Sequence, residues 1–248
     1  MNLKKYFKGF YMSLSMFSAI PLPKVIWLEE LYDLIIVFLP LVGLIIGFLW
    51  HVVACLLQTN SNYLLVSAIV AITPFILSGF LHLDGYMDTS DAILSGREQK
   101  EKIRILKDSR VGAFSVIMLA ILFLLQFTAV TGILNKTVFF IEISILSRCG
   151  SALAIIFGKA IKESNYVKMF KGRKNSEAAV FTIMVLTIII FAYLYGKTGI
   201  LVAFGVLTSY FIVMKYLIKV IGGVSGDLAG FSQTVSELVG LLCIGMFI

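Results

Sequence analysis

The sequence predicts an all-α, polytopic membrane protein with about seven transmembrane helices and a short N-terminal amphipathic helix. Of its 248 residues, 59% are hydrophobic and only 14% charged, and the mean hydropathy is +0.98. No soluble domain of this length needs so apolar a composition for its core. Seven apolar runs approach the ~20 residues that a spanning helix needs, at about 33–57, 63–83, 112–132, 137–158, 177–195, 199–219 and 228–247. The cations alternate with these runs. Eighteen of the 21 Lys and Arg lie in the N-terminal segment, in the loops after the second and fourth runs, and at the end of the sixth run that leads into the last loop. The opposite side carries only Lys136 and Lys197, and Arg148 lies within a run. By the positive-inside rule the N-terminus and the long loops are cytoplasmic, in the plasma membrane, and the C-terminus is outside. The net charge of +7 follows from this topology and from contact with anionic lipid, so it does not indicate nucleic-acid binding. No fixed-period repeat or soluble insertion is visible, and residues 1–248 read as one integral-membrane domain.

In residues 1–24, Phe7, Phe10, Tyr11, Leu14 and Phe17 recur at helical spacing, with Lys5, Lys8, Met12 and Ser15 opposite. Lys8 and Gly9 interrupt the apolar stretch that a signal peptide requires. The segment therefore reads as an uncleaved amphipathic helix on the cytoplasmic face, ended by Pro21 and Pro23. The first span ends in the uncharged turn Thr59-Asn60-Ser61-Asn62, and His51 near it reads as an interfacial residue. Cys55, Cys149 and Cys243 lie within spans without metal-ligand spacing and read as small buried residues.

The organising stretch lies between the second and third spans. From Gly79 to Gly112 it holds six of the fourteen acidic residues. Offsets of four and seven residues put Asp84, Asp88 and Asp91 within roughly 60° on a helix. Three carboxylates on one stripe repel each other, whereas a hard cation such as Mg²⁺ requires carboxylate oxygens converging from one side. These aspartates are expected at the C-terminal end of the second span, where the helix dipole disfavours anions, which again calls for a cation. The loop then turns basic and closes on Lys107-Asp108-Ser109-Arg110, a combination suited to an anionic substrate held by metal and arginine together.

Arg148 and Glu237 lie inside the fourth and seventh spans at similar depth. A lone charge there costs at least ~2.5 kcal/mol, so the two are expected to pair or to line one polar cavity. The loop from Lys159 to Ser176 is basic, with Tyr166, Met169 and Phe170 interleaved, and reads as a membrane-surface segment. The last loop, Gly222 to Gly230, surrounds Asp227 with four glycines that leave the backbone free for close approach or positive φ. It brings a fourth aspartate to the face that carries Asp84. Glu237 lies ~15 Å further along a straight helix and cannot share a metal with Asp227 unless the glycine segment bends the chain.

Taken in order, His82-Leu83-Asp84-Gly85-x-x-Asp88-x-x-Asp91, Lys107-Asp108-Ser109-Arg110-x-Gly112 and Gly222-Gly223-x-x-Gly226-Asp227-x-x-Gly230 with Gln233 and Glu237 form a pattern. It resembles the cobalamin synthase family, the adenosylcobinamide-GDP ribazoletransferases of bacteria and archaea, from end to end of the chain. The resemblance implies a transferase in which the 5′ oxygen of α-ribazole, or of its 5′-phosphate, attacks the cobinamide-linked phosphorus of adenosylcobinamide-GDP, releasing GMP with the help of Mg²⁺. It further implies Asp84, Asp88, Asp91 and Asp227 as the catalytic and metal-binding set. His82, Lys107, Asp108, Arg110 and Gln233 then become substrate-side residues. One aspartate, for instance Asp91, would accept the hydroxyl proton, and the sequence does not choose among the four. One segment departs from the family: its usual Thr-Arg-Ile-Pro reads Ser18-Ala19-Ile20-Pro21 here. Any phosphate contact of that arginine is therefore missing or comes from Lys24 or another cation.

Two other functions use similar residues. A CDP-alcohol phosphatidyltransferase would show Ala-Arg after Asp-Gly and a later Asp-x-x-x-Asp, and neither is present. A cation transporter would place its carboxylates near the bilayer midplane on repeated, broken helices. The depth of the aspartates discriminates the two classes.

Overall fold

A computed structural model describes residues 3–161, 169–170 and 176–247. The described residues form eleven α-helices: α1 Leu3–Phe17, α2 Tyr32–Val37, α3 Leu39–Leu57, α4 Tyr63–Leu77, α5 Leu81–Leu94, α6 Gln99–Ile105, α7 Ala113–Ile133, α8 Phe139–Phe157, α9 Ser176–Tyr195, α10 Lys197–Ile221 and α11 Gly226–Phe247. Six of them are long and apolar enough to cross a bilayer. The bent pair α4 and α5 supplies a seventh crossing if taken together. This is a multi-pass membrane protein. The interleaved aromatic loop at Tyr166 lies outside the described residues.

Helix α8 is the axis. Its apolar window is 89% buried, against 17% for α9, because α3, α9, α10 and α11 all pack around it. Glycines set the closest of these contacts. Gly43 and Gly47 lay α3 directly on the backbone of Ser144, Phe140 and Ile141, where a Cβ would collide. Trp50 is fully buried on the same seam, stacked on Phe140 at 4.0 Å. Its indole N–H donates to the Val70 carbonyl at 2.7 Å. That carbonyl is the one Pro74, lacking an N–H, leaves without its helical donor.

Three elements differ from the sequence expectation. The first span begins as two helices, α2 and α3, separated at Phe38. The N-terminal helix does not merely lie on the membrane surface: α1 docks into the bundle through Gly9, Met12, Ser13 and Phe17. Gly9 fits against Leu34, and Ser13 donates to the Ile35 carbonyl at 2.8 Å. Met12 is therefore buried, and Phe7 is the exposed residue. Of the cysteines, Cys149 is buried as expected and Cys55 is exposed.

The third difference matters most for function. The second span does not run on to Asp84. Gly79 and Phe80 both adopt left-handed backbone (φ 63° and 60°), α4 stops, and α5 restarts at 92° to it. Glycine adopts this region freely, whereas phenylalanine does so only under constraint. The Phe80 N–H caps α4 through the Phe75 carbonyl at 2.8 Å. Asp84 consequently stands in the first turn of α5, and the helix dipole stabilises it there; the expected C-terminal placement is overturned.

Candidate active site

Two helix beginnings meet at the loop-rich end of the bundle. The first is α5. At 14 residues it is too short to cross by itself. The second is α11, whose start is shaped by the glycine loop. Gly222 (φ 96°) ends α10, and Gly223 lets Val224 pair with Lys159 and Ile161 through backbone hydrogen bonds of 2.8 and 3.2 Å. Ser225 then caps α11, accepting the Leu228 N–H at 3.3 Å. Asp227 follows in the first turn.

Gly85 joins the two helices. A Cβ built on it would stand 2.8 Å from Asp227 Cα and 2.9 Å from its carbonyl oxygen, so only glycine lets α5 rest on the α11 backbone. Asp84 and Asp227 thereby come to the mouth of one cavity of about 330 Å³, with His82, Lys107, Ser151 and Ser225 also in its wall. Gly85→Ala must push α5 off Asp227. We expect at least a tenfold loss of activity together with a loss of stability of about 1–3 kcal/mol, since the collision is with backbone and one helix must move. Steady-state rates and a melting curve on the same preparation check this.

The four aspartates differ in surroundings. Asp84 is exposed, and Asp88, Asp91 and Asp227 are partly buried. Desolvation, and then the charges of Asp84, Asp227 and Asp91, raise the Asp88 carboxyl to about 6. The stripe is thus one electrostatic unit. Asp91 is committed elsewhere. Gly112 stands at the N-cap of α7 without a side chain, and Asp91 supplies the missing acceptor from α5, taking the Ser115 N–H at 3.0 Å and the Gly112 N–H at 2.8 Å. A side chain at position 112 would occupy the space of that carboxylate.

The remaining predicted residues divide. His82 and Lys107 line the cavity. Asp108 and Arg110 are not in its wall and form a two-pronged ion pair with each other, Nη2 to Oδ2 at 2.6 Å and Nε to Oδ1 at 2.9 Å. The Arg110 guanidinium holds Asp108 well below the usual carboxylate range. Deeper in the bundle, Arg148 Nη1 donates to Glu237 Oε1 at 2.8 Å, and Ser147 and the Gln233 amide donate to the same oxygen at 2.8 and 3.2 Å. Gln233 is buried in that network and is not part of the cavity wall. Position 19 adjoins the helix break: the Ala19 N–H donates to the Leu77 carbonyl at 2.8 Å. Sequence reasoning missed Ser151 and Phe17 in the wall. A lone serine in an apolar span, and an aromatic residue at helical spacing, carry no signal that separates them from packing residues.

The model of the cobalamin-5-phosphate synthase family matches residues 9–245. The chain belongs to that family. An adenosylcobinamide-GDP ribazoletransferase of Clostridium botulinum (strain Alaska E43 / Type E3) is 42% identical over 251 residues, covering 99% of this chain and 100% of the relative. One from Clostridium perfringens (strain SM101 / Type A) is 38% identical over 250 residues, covering 98% and 100%. One from Acinetobacter baumannii is 31% identical over 235 residues, covering 93% and 94%. No solved structure matches the chain. Membership of the cobalamin-5-phosphate synthase family separates the chain from a carrier, although α4 and α5 form a broken pair.

The donor set at the cavity mouth fits a hard cation. Magnesium retains several waters and is held by one or two carboxylates together with substrate phosphates. Asp84 and Asp227 offer two such carboxylates, with open cavity beside them for phosphate oxygens. Among the described residues no three His, Cys, Asp or Glu side chains converge tightly enough to enclose a metal alone.

Proposed function

We propose that this chain is an adenosylcobinamide-GDP ribazoletransferase that uses Mg²⁺ and faces the cytoplasm. The 5′ oxygen of α-ribazole, or of its 5′-phosphate, forms a bond to the cobinamide-linked phosphorus. The bond from that phosphorus to GMP breaks, the hydroxyl proton passes to a carboxylate or water, and GMP leaves. The observation that carries this reading is the meeting of Asp84 and Asp227, each in the first turn of its helix, at one cavity mouth beside Lys107.

The residues divide the work as follows. The starts of α5 and α11 present backbone N–H groups and the positive ends of two dipoles, which favour a diphosphate. Lys107 adds a mobile positive charge at the rim. Asp84 and Asp227 would hold a magnesium ion, which would supply neutralisation of the phosphate charge and of the charge on departing GMP. Asp88 contributes negative charge to the same unit. Asp91 positions the first turn of α7. The apolar body of the cavity limits water beside the phosphorus, and so hydrolysis of adenosylcobinamide-GDP.

The basic loops support the orientation. The cavity wall includes Ile103, Leu106 and Lys107 of the 97–110 segment, which the positive-inside rule assigns to the cytoplasm. The test is GMP release by purified protein in liposomes given adenosylcobinamide-GDP and α-ribazole. Formation of GMP and a cobalamin product is expected with Mg²⁺ and should cease with EDTA, returning on re-addition of the metal. Undiminished turnover in EDTA would remove the metal from this scheme.

A further inference from the structure

A second hollow lies among α8, α9 and α10 and shares no wall residue with the cavity at Asp84 and Asp227. Helices α9 and α10 form a hairpin through Gly196, and near its turn they touch: a Cβ on Gly199 would stand 2.5 Å from the Phe191 carbonyl oxygen. Toward their other ends a groove of about 420 Å³ opens between them, walled by Phe181 and Met184 of α9 and by Phe211 and Ile218 of α10. Its floor is the last turn of α8, ending at Phe157 and Gly158. Helix α8 is otherwise the most enclosed of the spans, yet Phe157 is 65% exposed there.

One charge belongs to this apolar wall. Lys215 follows Phe211 by four residues and precedes Ile218 by three, so the three share a stripe of α10, and Lys219 continues that stripe by one more turn. Both lysines are exposed. The stripe runs ~12 Å from Phe211 to Lys219, toward the end of α10 that the positive-inside rule assigns to the cytoplasm. Along α9 and α10 the two lysines are set against a single acid, Glu177 in the first turn of α9, so the mouth of the groove keeps a positive charge. The described part of the loop from α8 to α9 lands on α2 instead, where Phe170 packs on Tyr32 at 6.5 Å.

We propose that this groove binds one anionic phospholipid of the cytoplasmic leaflet, with an acyl chain between α9 and α10 and the headgroup phosphate at Lys215 and Lys219. The site stands whatever reaction the other cavity performs. Lysine stems lie along an apolar wall while their ammonium groups reach the headgroup level. Each such cation near the surface favours an anionic headgroup by about fivefold. Phosphatidylcholine presents the same phosphate beside a quaternary ammonium, which the two lysines repel. Free phosphate lacks the chain that fills the groove. A lipid seated here touches the end of α8 that runs on into Lys159 and Ile161, and the backbones of these two residues pair with Val224, three residues before Asp227. The groove thus adjoins the segment that positions one of the candidate metal-binding carboxylates.

Brominated lipids quench an indole that they touch, and the chain has only two tryptophans, of which Trp50 is fully buried. Trp27→Phe therefore gives a background insensitive to the lipid, on which Phe181→Trp, or Phe211→Trp on the opposite wall, reports the groove. The full-length variants are placed in vesicles of phosphatidylcholine and phosphatidylglycerol, with one of the two lipids brominated at a time. Phosphatidylglycerol is expected to compete at least about fivefold better than phosphatidylcholine at either tryptophan. Lys215→Gln together with Lys219→Gln should bring that ratio to about one. Lys5→Gln, which removes an exposed cation of α1, should leave it unchanged. Equal quenching by the two lipids with the lysines intact would show ordinary lipid solvation and overturn the site. A preference that survives the loss of both lysines, or that falls as far in Lys5→Gln, would overturn it as well.

Discussion

Asp227→Ala is expected to lower GMP release by at least ~10²–10³-fold while the protein inserts and purifies normally. The carboxylate stands in the first turn of α11, backed by Gly85 and 3.4 Å from the Ser225 hydroxyl, and it opens onto the cavity without anchoring any helix. Its removal therefore strips charge from the site and leaves the packing intact. Asp227→Asn keeps the shape and removes only the charge, so a similar loss there assigns the effect to electrostatics. Asp84→Ala should behave alike, because Asp84 is exposed in the first turn of α5 and lines the same cavity. Asp91 should behave differently. Its carboxylate caps α7, so Asp91→Ala should cost stability of the order of a lost cap, about 0.5–2 kcal/mol, as well as activity. Full activity in Asp84→Ala or Asp227→Ala would remove that residue from the mechanism.

The second large effect lies within the membrane. Arg148→Met should destabilise the protein by about 3–5 kcal/mol, because it strands Glu237 among apolar helices with only the Ser147 hydroxyl and the Gln233 amide as donors. The arginine is 1% exposed along its side chain, and its Nη1 also donates to the Ser144 carbonyl at 3.0 Å. Replacing both partners, Arg148→Met with Glu237→Leu, should recover much of that stability, since two apolar residues remove both desolvation costs at once. Thermal unfolding of the three variants in one detergent measures the cycle. Its activity arm is informative as well. The network ends at Ser151 in the cavity wall, so the double variant should fold yet turn over more slowly. If the single and the double variants melt together, the pair is not what holds α8 to α11.

Much of this was legible from residue types. Spans of apolar residues identify themselves, because every backbone polar group in a bilayer must be satisfied within a helix and the side chains must suit lipid. The charge inside two spans pointed to Arg148 and Glu237 because a lone charge there is costly. The aspartate spacing pointed to a cation because like charges do not otherwise share a stripe. The break at Gly79 and Phe80 was not legible. A left-handed phenylalanine has no local sequence signature and is held there by tertiary contacts, among them the strand of chain at Ala19 hydrogen-bonded to Leu77. Nor did the sequence distinguish Asp91 from its neighbours, since its role depends on Gly112, twenty-one residues away.

By itself, then, the sequence determined the solvent of this protein, its number of crossings to within the bent pair and its family pattern, and it singled out the carboxylates of the candidate site. These properties follow from side-chain chemistry and helical periodicity, which are local. Tertiary structure alone decided which aspartates face the cavity, which one caps a helix, and that Asp84 begins a helix instead of ending one. Those outcomes depend on where two helices touch. Here that contact is made by Gly85, which has no side chain to keep the α5 and α11 backbones apart.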